Sequence, residues 1–232
     1  MNQGTFDWYK DTLTKVLFRP IYFFTTMEKG PLKDKPVTFL LLNCWVFSLL
    51  ISAFLFMAAI YPMVSVVLTG INGPKLAIII PLFAFFCFMF FAMVLIIAGP
   101  MIIAALFSLS LLLSLLLHYI AGKFGGVGKL SDMIRASFYC GAVIIPFSLM
   151  PVIAAAARYG LISRQNLNIG AGLLFTITII YLWGLWSIAI RKIYGISRKK
   201  ALSASFITAF LVILLQMALG PKIMTIIERW TV

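Results

Sequence analysis

The side chains that could do acid–base or metal chemistry are few in this sequence of 232 residues. There is one histidine, His118, and four of the six acidic residues lie within the first 34 positions. A hydrolase or an intramembrane protease needs a nucleophile with a base, or several metal ligands, gathered at one place. The glycines 122, 125, 126 and 128 lack the Lys-Ser/Thr pair of a nucleotide-binding loop. We therefore expect no enzyme activity, no metal and no cofactor.

One polar stripe does stand out among the apolar residues. Ser110, Ser114 and His118 are four residues apart, so they would share one face of a helix. This stripe has two interpretations: hydrogen bonding within and between packed helices, or a polar path for a proton, an ion or a lipid headgroup. A second polar set could face it from the first apolar segment: Asn43, Ser48 and Ser52.

The composition indicates that such a stripe lies in a membrane-spanning helix. Of all residues, 63% are hydrophobic and 11% are charged, whereas a soluble domain has roughly 45–50% apolar and about 25% charged residues. The apolar residues form long uncharged blocks, which are typical of membrane-spanning helices. We therefore predict an all-α, polytopic integral membrane protein. Cys44, Cys87 and Cys140 lie inside these blocks and are predicted to be buried small hydrophobes, neither a disulfide nor a metal set.

The apolar blocks suggest three regions and five spans. We predict an amphipathic arm over residues 1–36, a transmembrane domain over 37–220 and a short tail over 221–232. The blocks cover approximately 37–61, 76–121, 136–157, 169–190 and 201–220. The second block, with 46 residues, would extend about 69 Å as one helix, against a hydrocarbon core of about 30 Å. Either it turns back at Gly99-Pro100 and makes two spans, or it crosses once with a broken, tilted or interfacial leading segment.

Positive charge favours the single crossing. If the block crosses once, fourteen Lys and Arg residues lie on the side of the N-terminus and five lie on the other side. If it crosses twice, the split becomes ten against nine. Because basic loops stay in the cytoplasm, we expect five spans with a cytoplasmic N-terminus and a C-terminus on the far side of a cell (inner) membrane.

The N-terminal arm has its own helical pattern. Apolar residues recur at helical spacing in front of Pro20, and basic residues occupy the other positions. The apolar set is Phe6, Tyr9, Leu13, Val16 and Leu17. A second, aromatic piece ends at Gly30-Pro31. The arm either packs on the cytoplasmic end of the domain, or it binds the membrane surface or a partner.

Several short motifs occur in a familiar order along the chain. They are Phe18-Arg19-Pro20 with Phe23-Phe24, Leu117-His118-Tyr119, Gly125-Gly126, the run 135–139 (Arg-Ala-Ser-Phe-Tyr), Pro146, Pro151, the run 183–186 (Trp-Gly-Leu-Trp) and the run 194–202 (Tyr-Gly-Ile-Ser-Arg-Lys-Lys-Ala-Leu). In this order and spacing the chain resembles the Yip family, the Ypt-interacting proteins with a Yip domain. The resemblance implies five spans and a cytoplasmic N-terminus. The short arm is similar to that of the compact prokaryotic members, whereas eukaryotic members are linked to vesicle traffic and to small GTPases of the Ypt/Rab type.

The predicted cytoplasmic loops are strongly basic. Few acids offset them, so they should attract anionic lipids or a partner, unless they act only as the orientation signal. The candidate surface is Arg135, Arg191, Lys192, Arg198, Lys199 and Lys200. We expect a non-enzymatic protein that organises or shapes the membrane or scaffolds partners through this face. The alternative is a transporter or lipid-translocating protein that uses a polar route through the bundle. Expected partners are membrane lipids and a protein partner or a second copy of the chain, not nucleic acid.

Overall fold

The computed structural model describes residues 3–27, 34–70 and 75–231, and throughout these ranges the regular elements are helices. Side-chain positions are defined there except at 3–4, 61–70, 75–79, 164, 216 and 219–231. The helices are α1 (Gln3–Phe18), α2 (Pro20–Thr26), α3 (Asp34–Gly70), α4 (Lys75–Lys123), α5 (Leu130–Cys140), α6 (Ile144–Phe147), α7 (Leu149–Arg158), α8 (Arg164–Tyr194) and α9 (Arg198–Thr231). The predicted boundary at Gly30-Pro31 lies outside the described residues.

Four segments of the described chain are long and apolar enough to cross a membrane. They are Asp34–Ile60, Ile80–Lys123, Leu130–Arg158 and Gln165–Tyr194. The prediction of an all-helical membrane protein is therefore confirmed. The fifth predicted span, 201–220, lies in α9, which continues as a helix through the predicted tail to Thr231. Because its side chains are defined only in part, the number of crossings stays a prediction.

The long second block forms one helix and does not turn back at Gly99-Pro100. Helix α4 has 49 residues and continues through Pro81 and Pro100. Helix α3 runs antiparallel to it, because Ser48 contacts the carbonyl of Gly99 at 3.3 Å while Phe56 packs on Phe91 at 5.2 Å between ring centroids. At about 1.5 Å per residue α4 extends about 73 Å, more than twice a hydrocarbon core of about 30 Å.

The third apolar segment is broken in its middle. A 3-10 turn at Gly141–Val143 and the short α6 separate α5 from α7. Pro146 and Pro151 cannot donate a backbone hydrogen bond, so each interrupts the helical ladder. Gly141 also lets α3 approach the break closely, since a Cβ at this position would lie 2.6 Å from Cδ1 of Leu40.

Most of the buried core lies at one end of the bundle, which we call the arm end. There the arm helices meet the start of α3, the end of α4, α5, the end of α8 and the start of α9. Its buried members include Val16, Leu117, Met133, Ile190 and Ala201. In contrast, α4 is largely exposed between Ile80 and Met101, as expected of a helix surrounded by lipid.

An aromatic cluster joins the arm to the bundle. It consists of Trp8 and Tyr9 of α1, Phe23 and Phe24 of α2, Phe39 of α3 and Tyr139 of α5. The ring of Phe39 lies 6.4 Å from Trp8, 5.5 Å from Tyr9 and 5.3 Å from Tyr139 between centroids. Phe23 packs edge-on against Tyr139 at 4.8 Å. The arm is therefore packed on the helices at this end.

The loop between α4 and α5 lies directly on Tyr194 at the end of α8. A Cβ on Gly126 would lie 2.7 Å from Cβ of Tyr194, and one on Gly128 would lie 2.7 Å from its Cδ1. The backbone N–H of Val127 donates to the carbonyl of Tyr194 at 3.4 Å. Two segments almost seventy residues apart are thus held together by contacts that only glycine permits.

This packing predicts opposite effects for two Gly→Ala substitutions four residues apart. Gly126→Ala should lower the free energy of unfolding by about 1–3 kcal/mol, because the added methyl group overlaps Tyr194. Gly122→Ala is the matched control: a Cβ there meets no atom within 4 Å, so it should be neutral or stabilise the helix by up to about 1 kcal/mol. Unfolding of both variants in detergent measures the difference. Equal stability of the two variants would contradict the described contact.

Candidate functional site

Five exposed cations lie on one short connection at the arm end. Arg191 and Lys192 are in the last turn of α8, and Arg198, Lys199 and Lys200 form the first turn of α9. The connection is tight because Gly195 takes a left-handed conformation, with φ of 67°. Its backbone N–H donates to the carbonyl of Arg191 at 3.1 Å and so caps the end of α8. These five residues form the basic loop surface.

Arg135 was predicted to belong to the same surface, but the structure places it inside the domain. It is 5% exposed, and its Nη1 lies 3.6 Å from Oδ1 of Asp132, which is also buried. The reason is that α5 begins at Leu130, six residues before the predicted span at 136. Arg135 and Tyr139 therefore lie on the face of α5 that points towards the arm.

The predicted polar stripe is engaged by its own helix and by α8. The hydroxyl of Ser110 donates to the carbonyl of Leu106 at 2.8 Å, and that of Ser114 donates to the carbonyl of Ser110 at 2.6 Å. Nδ1 of His118 forms a hydrogen bond with the hydroxyl of Tyr194. Such bonds are those expected of the packing interpretation.

In the second polar set, on α3, Ser48 and Ser52 lie further from the arm end than the stripe does. Asn43, Ser48 and Ser52 are fully buried, and Ser48 meets Gly99 of α4. Ser110 is eleven residues further along α4, or about 16 Å at about 1.5 Å per residue. Ser110 itself borders a cleft of about 130 Å³ whose walls are mainly apolar and include Leu113, Cys140 and Trp186.

The sequence did not indicate the polar contacts that hold the arm. The hydroxyl of Tyr9 donates to Oδ1 of Asn43 at 2.6 Å, and burial raises the pKa of Tyr9 above its ordinary value, so the hydroxyl stays protonated. The hydroxyl of Tyr181 donates to the carbonyl of Leu17. Thr12, on the apolar face of α1, is also buried. This polar residue on the apolar face was the one feature of the sequence that could have indicated that the arm is packed on the bundle.

The three cysteines lie apart from one another in the part of the chain that the structure describes. Cys44 and Cys140 are buried, Cys87 is half-buried, and all three are free. Among the described residues no group of three His, Cys, Asp or Glu side chains could hold a metal ion.

The bond between His118 and Tyr194 predicts a stability effect. Tyr194→Phe should lower the free energy of unfolding by about 1–2 kcal/mol, because it leaves a half-buried ring nitrogen of His118 without its partner. Tyr119→Phe is the matched control, since Tyr119 is adjacent to His118 but 63% exposed. Thermal unfolding in detergent should separate the two variants. If the two midpoints coincide, the bond contributes nothing.

Three of the sequence motifs meet at one residue, and comparison with known proteins identifies a domain family. His118 and Gly126, which belong to two separate motifs of the sequence, both contact Tyr194 of a third motif at the arm end. The family model of the Yip1 domain matches residues 14–220, a range that begins inside α1 and ends inside α9. Neither a curated protein nor a solved structure matches the chain. With most of its length covered by this domain, the chain belongs to the Yip1 domain family.

Proposed function

We propose that this protein is a non-enzymatic membrane organiser that binds anionic lipids, or a protein partner, through its basic loop surface. The observation that carries the proposal is the exposure of Arg191, Lys192 and residues 198–200 on one connection. The nearby loop adds Lys123 and Lys129, which are exposed as well. A cluster of basic residues next to membrane helices is the sequence feature of surfaces that attract anionic lipid headgroups.

The electrostatics support a surface role. Each Lys or Arg near an anionic leaflet contributes about 1 kcal/mol before screening. Exposed charges are screened within about 8 Å at physiological ionic strength, so the attraction acts at contact distance and weakens in salt. The packed arm end holds the backbone that carries these cations in place, which reduces the conformational entropy lost when a lipid or a partner binds.

The proposed orientation places the arm end in the cytoplasm of a cell with an inner membrane, with five crossings and the C-terminus on the far side. Three observations support it: the continuous α4, the concentration of basic residues at the arm end, and the helical α9. Basic loops are retained on the cytoplasmic side.

Transport is the second candidate, and the break between α5 and α7 is the observation that favours it. Broken helices occur around transporter sites. However, the stripe hydroxyls are bonded to their own helix, and the cleft beside Ser110 is mainly apolar. These features rank the surface role first.

Neutralising the basic loop surface should weaken lipid association. The triple variant Arg198→Gln, Lys199→Gln and Lys200→Gln loses three surface cations. Its affinity for vesicles that contain phosphatidylglycerol should therefore fall by about tenfold or more. The measurement is association of the protein in nanodiscs with such vesicles, at low salt and at physiological salt. Added salt should reduce binding of the unmodified protein in the same direction.

A charge-conserving triple variant is the matched control: Arg198→Lys, Lys199→Arg and Lys200→Arg should bind like the unmodified protein. A reporter at the C-terminus should read the far side in every variant, which checks that orientation is unchanged. The transport alternative predicts the reverse order: Ser114→Ala should reduce movement of a solute or lipid across the membrane more than the neutral triple variant does. That order would contradict the proposed function.

A further inference from the structure

Helices α3 and α4 form a hairpin that continues past the connection between α7 and α8, at the end opposite the arm. Their contacts fix one antiparallel register, in which position 58 of α3 lies level with position 89 of α4. Both helices continue beyond this level, α3 over residues 59–70 and α4 over residues 75–89. We call these two stretches the hairpin extension.

The side chain of Arg158, the last residue of α7, marks the level at which the extension begins. Its Nη2 donates to the backbone carbonyl of Ala58 at 3.2 Å. This carbonyl needs a donor from outside its helix, because the residue four positions on is Pro62, which has no N–H. Exposed amide side chains follow at the start of α8: Gln165, Asn166 and Asn168. Charged and polar side chains at the ends of spanning helices lie at the membrane surface, so the polar boundary of the bundle lies level with Ala58.

The hydrocarbon core is already crossed at this level. From the exposed Lys35 to Ala58, α3 rises about 35 Å at about 1.5 Å per residue, against a hydrocarbon core of about 30 Å. The hairpin extension adds roughly 18 Å of α3 and roughly 21 Å of α4. In its sequence Lys75 is the one charged residue. An apolar hairpin thus continues well beyond the polar boundary of the bundle.

The exposed side chains of the extension surround its helix. Phe83 and Cys87 are half-buried, as is Phe91 one turn further on, and this spacing of four residues defines the narrow face that packs on α3. All other residues between 80 and 90 are exposed. The largest of them are Leu82, Phe85, Phe86, Phe88 and Met89. A protein partner would cover one face of such a helix, whereas lipid chains surround every face that is not packed on a neighbour.

We propose that the hairpin extension is a lipid-contact element that thickens the bilayer around it and gathers phospholipids with long acyl chains. Acyl chains are the occupants of its exposed faces. A hydrophobic stretch longer than the local hydrocarbon core is accommodated by tilt or by thickening of the bilayer. Fitting about 53 Å of α3 into about 30 Å by tilt alone needs about 55°, beyond the range of about 0–40° for spanning helices. Thickening must therefore supply part of the match.

This inference goes beyond the proposed function and does not rest on the basic loop surface. The two features lie at opposite ends of the bundle. The loops would select lipids by headgroup charge, whereas the hairpin extension would select them by chain length. The two proposals can therefore fail separately.

Thiol labelling tests whether lipid covers the extension. The full chain carries Phe85→Cys in a Cys87→Ala background, in nanodiscs that hold one copy each, and reacts with a membrane-impermeant maleimide. Leu161→Cys in the same background is the matched control, because Leu161 is 77% exposed on the connection after Arg158. Since a thiolate reacts and lipid excludes water, Phe85→Cys should label at least about tenfold more slowly than Leu161→Cys in a core about 33 Å thick. In a core about 27 Å thick the difference should shrink.

Two labelling results would overturn the proposal. Equal rates for the two cysteine variants in single-copy nanodiscs would mean that the extension lies in water. Protection that appears only when a nanodisc holds two or more copies would mean that a second copy of the chain, not lipid, covers it.

Lipid selection tests the consequence. In mixed short- and long-chain phosphatidylcholine, the lipids that remain with the protein after extraction in polymer-bounded discs should be enriched in long chains by about twofold or more. Phe85→Ser with Phe88→Ser should remove this enrichment, because polar side chains shorten the apolar length. Phe206→Ser with Phe210→Ser is the matched control: both phenylalanines are similarly exposed, but they lie on α9, where Phe206 packs on Trp183 of α8. This control should keep the enrichment.

The remaining outcomes also decide the matter. No enrichment with the unmodified protein, or equal enrichment with the two serine variants, would overturn the proposal. If the Phe85 and Phe88 serine variant does not insert, the labelling comparison keeps the test valid. The neutral loop triple variant should lose vesicle association and keep the enrichment, and loss of the enrichment in that variant would mean that the loops and not the hairpin extension select the lipid.

Discussion

The packing of aromatic rings around Phe39 is the interaction on which the arm end depends. Phe39 of α3 contacts two rings of α1 and Tyr139 of α5, and Tyr139 contacts Phe23 of α2. Aromatic pairs of this kind add about 0.5–1.5 kcal/mol each beyond their buried area. Lipid gives helices no hydrophobic reason to associate, so contacts such as these must position the arm and the broken third segment.

The two ends of the bundle therefore differ in character. At the arm end, helices, arm and loops share one buried core, and close contacts such as Gly126 against Tyr194 fix the loops that carry the basic residues. Towards the other end, α4 exposes large apolar side chains such as Phe85 and Phe88, for which lipid is the natural surrounding. This arrangement agrees with a protein that is anchored by its exposed helices and acts through its packed end.

Much of the fold could be predicted from the sequence, and the reason is physical. Long uncharged blocks leave no alternative to helices in lipid, and Pro20 does divide the arm, as the first residue of α2. Whether a residue near a helix end belongs to the helix or to the loop was harder to predict. Arg135 was assigned to a loop because hydropathy marks the apolar part of a segment, whereas α5 begins earlier, at Leu130. The contact of Tyr9 with Asn43 depends on tertiary packing between distant segments, which no local pattern encodes.

The most direct test of the packed arm is a double-mutant cycle between Tyr9→Phe and Asn43→Ala, read as unfolding in detergent micelles. Direct contact at 2.6 Å predicts coupling: Tyr9→Phe should cost about 1 kcal/mol in the unmodified protein and much less once Asn43 is replaced. Tyr22→Phe, on an exposed arm residue, should show no coupling to Asn43. If the effects of Tyr9→Phe and Asn43→Ala simply add, Tyr9 and Asn43 do not contact each other and the arm is not packed on α3.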